Sequence, residues 1–249
     1  MPARPDTVTD ALARALAVEP GRPLVTFYDG SSGERVELSV TTFDNWVNKI
    51  ANLFADELML DPGDEVRVRL PTCWQSTVVL LGAWTAGLRV AAHDSEVDAS
   101  VVGPDAIAPG ARLAGHVVAC SLRPLGGPFT EPLPPGWLDF AFAVPSQPDA
   151  LLAATTVQPD DVAVVTATAE LSHRTLVDRG VETAAEVGLS SGGRLLTDAN
   201  PADPEDMGTT LVAPLVSGGS VVLVTNCDEA ARSSIAVQER VTTTVWASR

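Results

Sequence analysis

The sequence predicts an α/β protein: parallel-rich sheets flanked by helices, in two similar lobes. Short Val- and Leu-rich runs alternate with longer segments of helical period, and strand–helix–strand alternation implies parallel pairing through right-handed crossovers. Residues 123–150 hold seven prolines and no period. They divide the chain into a first lobe at 1–122, a linker or surface-wrapping segment at 123–150, and a second lobe at 151–249. A chain of 249 residues buries a sizeable core, as one large domain or two small ones.

Residues 8–18 (VTDALARALAV) have helical spacing, with Thr9 or Asp10 as cap. Two β-like runs at 24–28 and 35–40 flank Asp29-Gly30-Ser31-Ser32-Gly33, a hairpin signal. Thr41-x-x-Asp44 reads as a capping box opening a helix whose buried face is Phe43, Trp46, Val47, Ile50, Leu53, Phe54 and Leu58. Asp61-Pro62-Gly63-Asp64 ends it, and 65–70 alternates as a strand that places Arg67 and Arg69 on one outer face. The helix at 73–86 is apolar nearly all round and stops at Gly87. Strands are predicted at 89–92, 100–103 and 115–121, then at 162–166, 193–197, 220–225 and 242–246. The second lobe's helices are predicted at 172–187, 204–216 and 228–240. Gly192-Gly193 and Gly218-Gly219 read as turns at strand starts.

Composition narrows the function classes. Hydrophobic residues make up 45% and charged residues 19%, as in ordinary globular proteins. A net charge of −16 argues against nucleic acid or an anionic membrane surface as the main partner. The most apolar run, 77–88, is too short to span a bilayer, and the N-terminus shows no signal-peptide pattern. Cys73, Cys120 and Cys227 are widely spaced and form no CxxC pair, which suits a reducing compartment; a cytoplasmic protein is expected. Lys49 is the sole lysine, and its mid-helix position predicts a solvated side chain.

The most informative segment lies at 161–187. DVAVVT reads as a buried strand and the stretch from Ser172 as a helix, so the turn between them is Ala167-Thr168-Ala169-Glu170-Leu171, without glycine or lysine. Three stretches give this turn its meaning. DGSSGERVELSVTTFDNWVNKIA at 29–51, DPGDEVRVRLPTCWQSTVVLLGAWTAGLRV at 61–90 and LVAPLVSGGSVVLV at 211–224 resemble, in order, segments of the AMP-dependent acyl-CoA synthetases and their adenylate-forming relatives. More narrowly, the chain resembles a short actinobacterial family distantly related to these ligases.

The resemblance implies the N-terminal portion of an adenylate-forming domain, present incompletely, since the sequence stops at Arg249 before the later nucleotide-contacting motifs and the domain with the catalytic lysine. It also implies that the 167–171 turn occupies the position of a Thr/Ser/Gly-rich phosphate loop ending in Pro-Lys-Gly, and that Ser172-His173-Arg174 follows where that family has T-H-x-N. Candidate ligand contacts at this degenerate position are Thr166, Thr168, Ser172 and Arg174. Glycine would let backbone N–H groups approach an anion and lysine would balance its charge; an acidic, Ala-rich turn does neither. No catalytic residue is expected, and ATP with Mg²⁺ is expected to bind weakly or not at all.

Other constellations are weaker. Adjacent Ser172 and His173 do not face each other on a helix, and Ser172 serves more simply as a cap. His93, Asp94, Glu96 and Asp98 could ligate a divalent metal or form a solvated loop; the latter is favoured. His116 reads as a strand residue with a satisfied imidazole, and Trp46, Trp74 and Trp84 as core rather than a stacking platform. Three functional readings stay open. The first is a non-catalytic module binding a small ligand or a partner. The others are a ligase fragment completed in trans and a structural or regulatory oligomer. Apolar runs at 221–224 and 241–246 carry few charges to blunt a sheet edge, so a homodimer or a constitutive partner is also expected.

Overall fold

The computed structural model describes residues 4–93, 96–107, 113–152 and 155–247. In chain order its elements are α1 (Val8–Val18), β1 (Pro23–Asp29), β2 (Glu34–Ser39), α2 (Val40–Asn52), β3 (Glu65–Arg69), α3 (Trp74–Thr85), β4 (Arg89–Ala92), β5 (Ala99–Val102) and β6 (His116–Ala119). There follow β7 (Trp137–Asp139), α4 (Phe140–Ala143), β8 (Val162–Thr166), β9 (Glu170–Ser172), α5 (His173–Glu186), β10 (Arg194–Thr197), α6 (Ala213–Val216), β11 (Ser220–Thr225), α7 (Glu229–Gln238) and β12 (Thr243–Val245). Single π-helical turns extend α2 over Leu53–Glu57 and lead into α6 over Gly208–Val212.

The α/β class and the parallel-rich pairing hold: every strand pair is parallel except the hairpins β1–β2 and β8–β9. The sheets nevertheless cut across the expected lobes at 1–122 and 151–249. One sheet has the order β12-β10-β11-β1-β2, and the other β7-β6-β5-β3-β4-β8-β9, so each takes strands from both sides of residues 123–150. Strand order along the chain does not determine which edge a later strand joins, and here the hairpin at the start pairs with a strand near the end.

The physical reason is burial. Helix α3 has every residue from Trp74 to Trp84 buried, which requires neighbours on all sides. It packs on α2 and touches β1 of one sheet and β3 and β4 of the other. The main core cluster is accordingly shared: Val221 and Leu223 from one sheet join Val66 and Val101 from the other. Alternate residues of the same strands point outward into smaller clusters. Leu196, Val222 and Val224 meet Ile235 of α7. Val102, Val117 and Ala119 are covered by Phe129, Leu133 and Trp137. The Pro-rich segment thus wraps the outer face of the larger sheet and supplies its edge strand β7.

Local chemistry accounts for the boundaries. Thr7, not Thr9 or Asp10, caps α1, exchanging bonds with Asp10 in a capping box. Ser39, not Thr41, caps α2 by accepting from the Thr42 N–H. Gly193 and Gly219 sit at strand starts as expected, and a Cβ on Gly219 would lie 2.3 Å from the Gly193 carbonyl oxygen, so the close approach of β10 and β11 there admits no side chain. Trp74 and Trp84 are core; Trp46 is half-buried and stacks on Phe140 with ring centroids 5.8 Å apart.

Candidate functional site

The segment at the expected degenerate phosphate-loop position is a tight β-hairpin. Glu170 and Leu171 belong to strand β9 rather than to the turn, pairing antiparallel with Val165 and Val164. The turn that remains is Ala167-Thr168-Ala169, closed by Thr166, the last residue of β8. The Thr166 N–H donates to the Ala169 carbonyl at 2.8 Å, and the Thr166 hydroxyl donates to the same oxygen at 2.9 Å. That hydroxyl also accepts from the Ala169 N–H at 2.9 Å and from the Thr168 N–H at 3.3 Å. The Thr168 and Ala169 N–H groups, donors that a phosphate-binding turn would offer, are therefore turned inward onto a side chain.

The other candidates are equally committed. Ser172 caps α5, its hydroxyl accepting from the Thr175 N–H at 3.2 Å. Arg174 is exposed and pairs with Asp160 at 3.1 Å. Glu170 meets one cation, Arg89, at 3.8 Å, and Arg89 is shared with Glu65 at 3.2 Å. Thr166, Thr168, Ser172 and Arg174 lie along one hairpin and helix start, and the side chains of Thr166, Ser172 and Arg174 bond to local partners. A triphosphate with Mg²⁺, which the resemblance implies, does not fit these residues: no lysine or arginine stands on the turn, and its Thr168 and Ala169 N–H groups are taken by the Thr166 hydroxyl.

Lys49 is not solvated mid-helix as expected. Its ammonium donates to the carbonyls of Gln147 at 2.5 Å and Pro145 at 3.2 Å and pairs with Asp149 at 2.9 Å. Asn52, one turn on and buried, donates to the carbonyls of Pro148 and Ala150 and accepts from the Leu152 N–H, all within 3.1 Å. The sole lysine and a buried amide thus bind the end of the Pro-rich segment to α2. Sequence reasoning passed over Asn52, although an amide inside the apolar stripe of Ile50, Leu53 and Phe54 signals a buried polar group with partners to satisfy.

His173 follows its cap into the core. It is 1% exposed, its ring meets Trp84 edge-on at 6.3 Å, and Trp84 in turn donates to the Ala163 carbonyl. Burial pulls the imidazole down to about 4, outweighing the opposing fields of Asp161 and Asp10, and Nδ1 has no hydrogen-bond partner. It faces away from Ser172's task as a cap, and no nucleophile–base pair forms.

The suggested metal residues also separate. His93 bonds to Glu65 at 3.0 Å, a carboxylate oxygen of Asp98 accepts from the Glu65 N–H, and Asp94 lies outside the described residues. Among the described residues no three His, Cys, Asp or Glu side chains are placed to share a metal ion. Glu96 and Asp98, with Asp64 and His116, instead line a shallow depression of about 440 Å³. It sits at the starts of β3, β5 and β6, the end of a parallel sheet away from which ligands ordinarily bind. His116 is exposed at its strand's first position, and Arg67, on the outer face in register with Ser100 and Val117, donates to the His93 carbonyl at 2.6 Å. No described helix is long and apolar enough to cross a membrane.

Comparison with known proteins places these features. The sequence is 34% identical over 245 residues to the TIGR03089 family protein of Mycobacterium tuberculosis, a match spanning 96% of this chain and 98% of that one. The fold is similar to an acyl-CoA synthetase of Brucella canis, with a TM-score of 0.79 and 18% identity over 96% of this chain and 47% of that chain. It is also similar to an anthranilate CoA ligase crystallised with anthranoyl-AMP, with a TM-score of 0.72 and 16% identity over 99% of this chain and 50% of the ligase. The chain spans about half the length of these solved structures, and the fold is that of their N-terminal portion. No family model matches the sequence.

Proposed function

This chain belongs to the TIGR03089 family, and from that premise we infer that it is a non-catalytic module of acyl-CoA synthetase-like fold, which binds a small ligand or a partner and forms no adenylate. The observation that carries this reading is the β8–β9 hairpin. Adenylate formation develops charge on phosphate oxygens, and preorganised donors and cations must meet it. In this chain the Thr166 hydroxyl occupies the Thr168 and Ala169 N–H groups of the turn, and the one lysine is tied to residues 145–149.

The magnitude supports a qualitative loss rather than a slow enzyme. Removing a single preorganised donor from such a site costs roughly 10²–10³-fold in rate, and here two backbone donors and the ammonium are withdrawn together. The purified chain is therefore expected to give no ATP–pyrophosphate exchange above a heat-killed control across a broad panel of carboxylic acids. Acid-dependent exchange by the chain alone would overturn the reading.

A further inference from the structure

Helix α7 and strand β12 are attached to the smaller sheet by charge more than by apolar packing. Ile235 is the only buried residue of α7; it joins Leu196, Val222 and Val224 in a small cluster flanked by the partly buried Ala236 and Val241, and Val245 of β12 packs against the main core. Strand β12 pairs through three residues, Thr243–Val245, with β10. Against this thin contact stands a dense polar junction at Glu239, directly after α7 and 7% exposed in its side chain. One carboxylate oxygen takes the Tyr28 hydroxyl of β1 at 2.5 Å and Arg35 of β2 at 2.9 Å; the other takes Arg194 of β10 at 2.5 Å. Arg194 also reaches Thr26 and Ser220, so the junction spans β1, β2, β10 and β11. At the far end of α7, Arg232 pairs with Asp198 at 3.0 Å and lies 4.5 Å from the Trp246 ring centroid, while Asp198 accepts from the Ala247 N–H.

We infer that residues 228–247 form a flap held by the Glu239 and Asp198 latches, which opens as one unit and uncovers the Leu196–Val222–Val224 face while both sheets stay folded. A segment with few buried apolar contacts opens at a lower free energy than the core. Removing one member of a buried ion group leaves its partners uncompensated. Neutralising Glu239 leaves Arg194 without this anion and Arg35 with Glu37 alone, which weakens the flap's attachment to the sheet. The inference stands apart from the question of ATP binding.

Hydrogen exchange followed by mass spectrometry tests it on the full chain. In Glu239→Gln, exchange over 229–245 is expected to rise by about tenfold or more, the scale of losing charge-assisted hydrogen bonds, with β3, β5 and β8 unchanged. Tyr28→Phe, which removes a donor to Glu239 and an acceptor of Arg35 but leaves every charge in place, gives a smaller rise in the same residues and decides the matter if Glu239→Gln does not fold. Glu37→Gln, which removes the exposed second partner of Arg35, leaves the rates as they are. Acceleration spread over both sheets, or none at all, overturns the flap.

Discussion

Lowering the pH from 7 to 4 is expected to destabilise this protein by about 3 kcal/mol through His173 alone. The buried imidazole, with its folded value near 4 against an ordinary 6.5, is the cause. As pH falls below 6.5 the unfolded chain takes a proton on this residue and the folded chain does not, so the unfolded state gains throughout the window down to about 4. Below that both states are protonated and the effect is complete. A second acid response starts lower. Burial raises Asp29, but bonds from Asn226, Ser32 and Ser31 prevail and hold it down at about 2, so its contribution, present above 3.8, fades only as pH falls from there toward 2. Urea titrations between pH 7 and 4 measure the slope. His173→Phe, which keeps an aromatic ring beside Trp84, should flatten it, and an unchanged slope in that variant would assign the acid sensitivity elsewhere.

Asn52→Ala should cost about 3 kcal/mol, from three hydrogen bonds near 1 kcal/mol each. For a domain of this size that lowers the melting midpoint by about 6–12 °C. The side chain acts as a short piece of strand for residues 148–152, supplying two donors and an acceptor that alanine cannot replace. Because the bonds are local to this strap, limited proteolysis should show new cleavage at 145–152 before the rest of the fold is attacked. A variant that melts with the parent and resists protease there would show that Lys49 and the apolar contacts hold the strap unaided.

These residues also show what the sequence could and could not reveal. Period and turn chemistry suffice for β1–β2, where Asp29-Gly30-Ser31-Ser32-Gly33 closes an antiparallel pair. They suffice too for α3, whose uniform apolarity foretells burial on every side. The interleaving of the sheets is not legible, because β11 pairs with β1 across nearly the whole chain and nothing local marks that partnership. Strand β9 is hidden for a different reason: Glu170-Leu171-Ser172 has no alternation long enough to read, and its pairing with β8 exists only because Thr166 closes the turn. The Pro-rich segment conceals β7 in the same way, as three residues whose strand character comes from lying against β6. At the candidate site, the missing glycine and lysine could be read from the residues, whereas the inward use of the remaining N–H groups needed coordinates.

The central claim is that the β8–β9 hairpin cannot hold a triphosphate, and titration calorimetry of the full chain with Mg-ATP addresses it most directly. The expected result is no heat beyond dilution at millimolar nucleotide, since the turn carries no cation, its Thr168 and Ala169 N–H groups are taken by Thr166, and Glu170 adds negative charge beside it. A saturable isotherm with a micromolar dissociation constant would contradict the account, showing that phosphates are held by residues other than those of the hairpin.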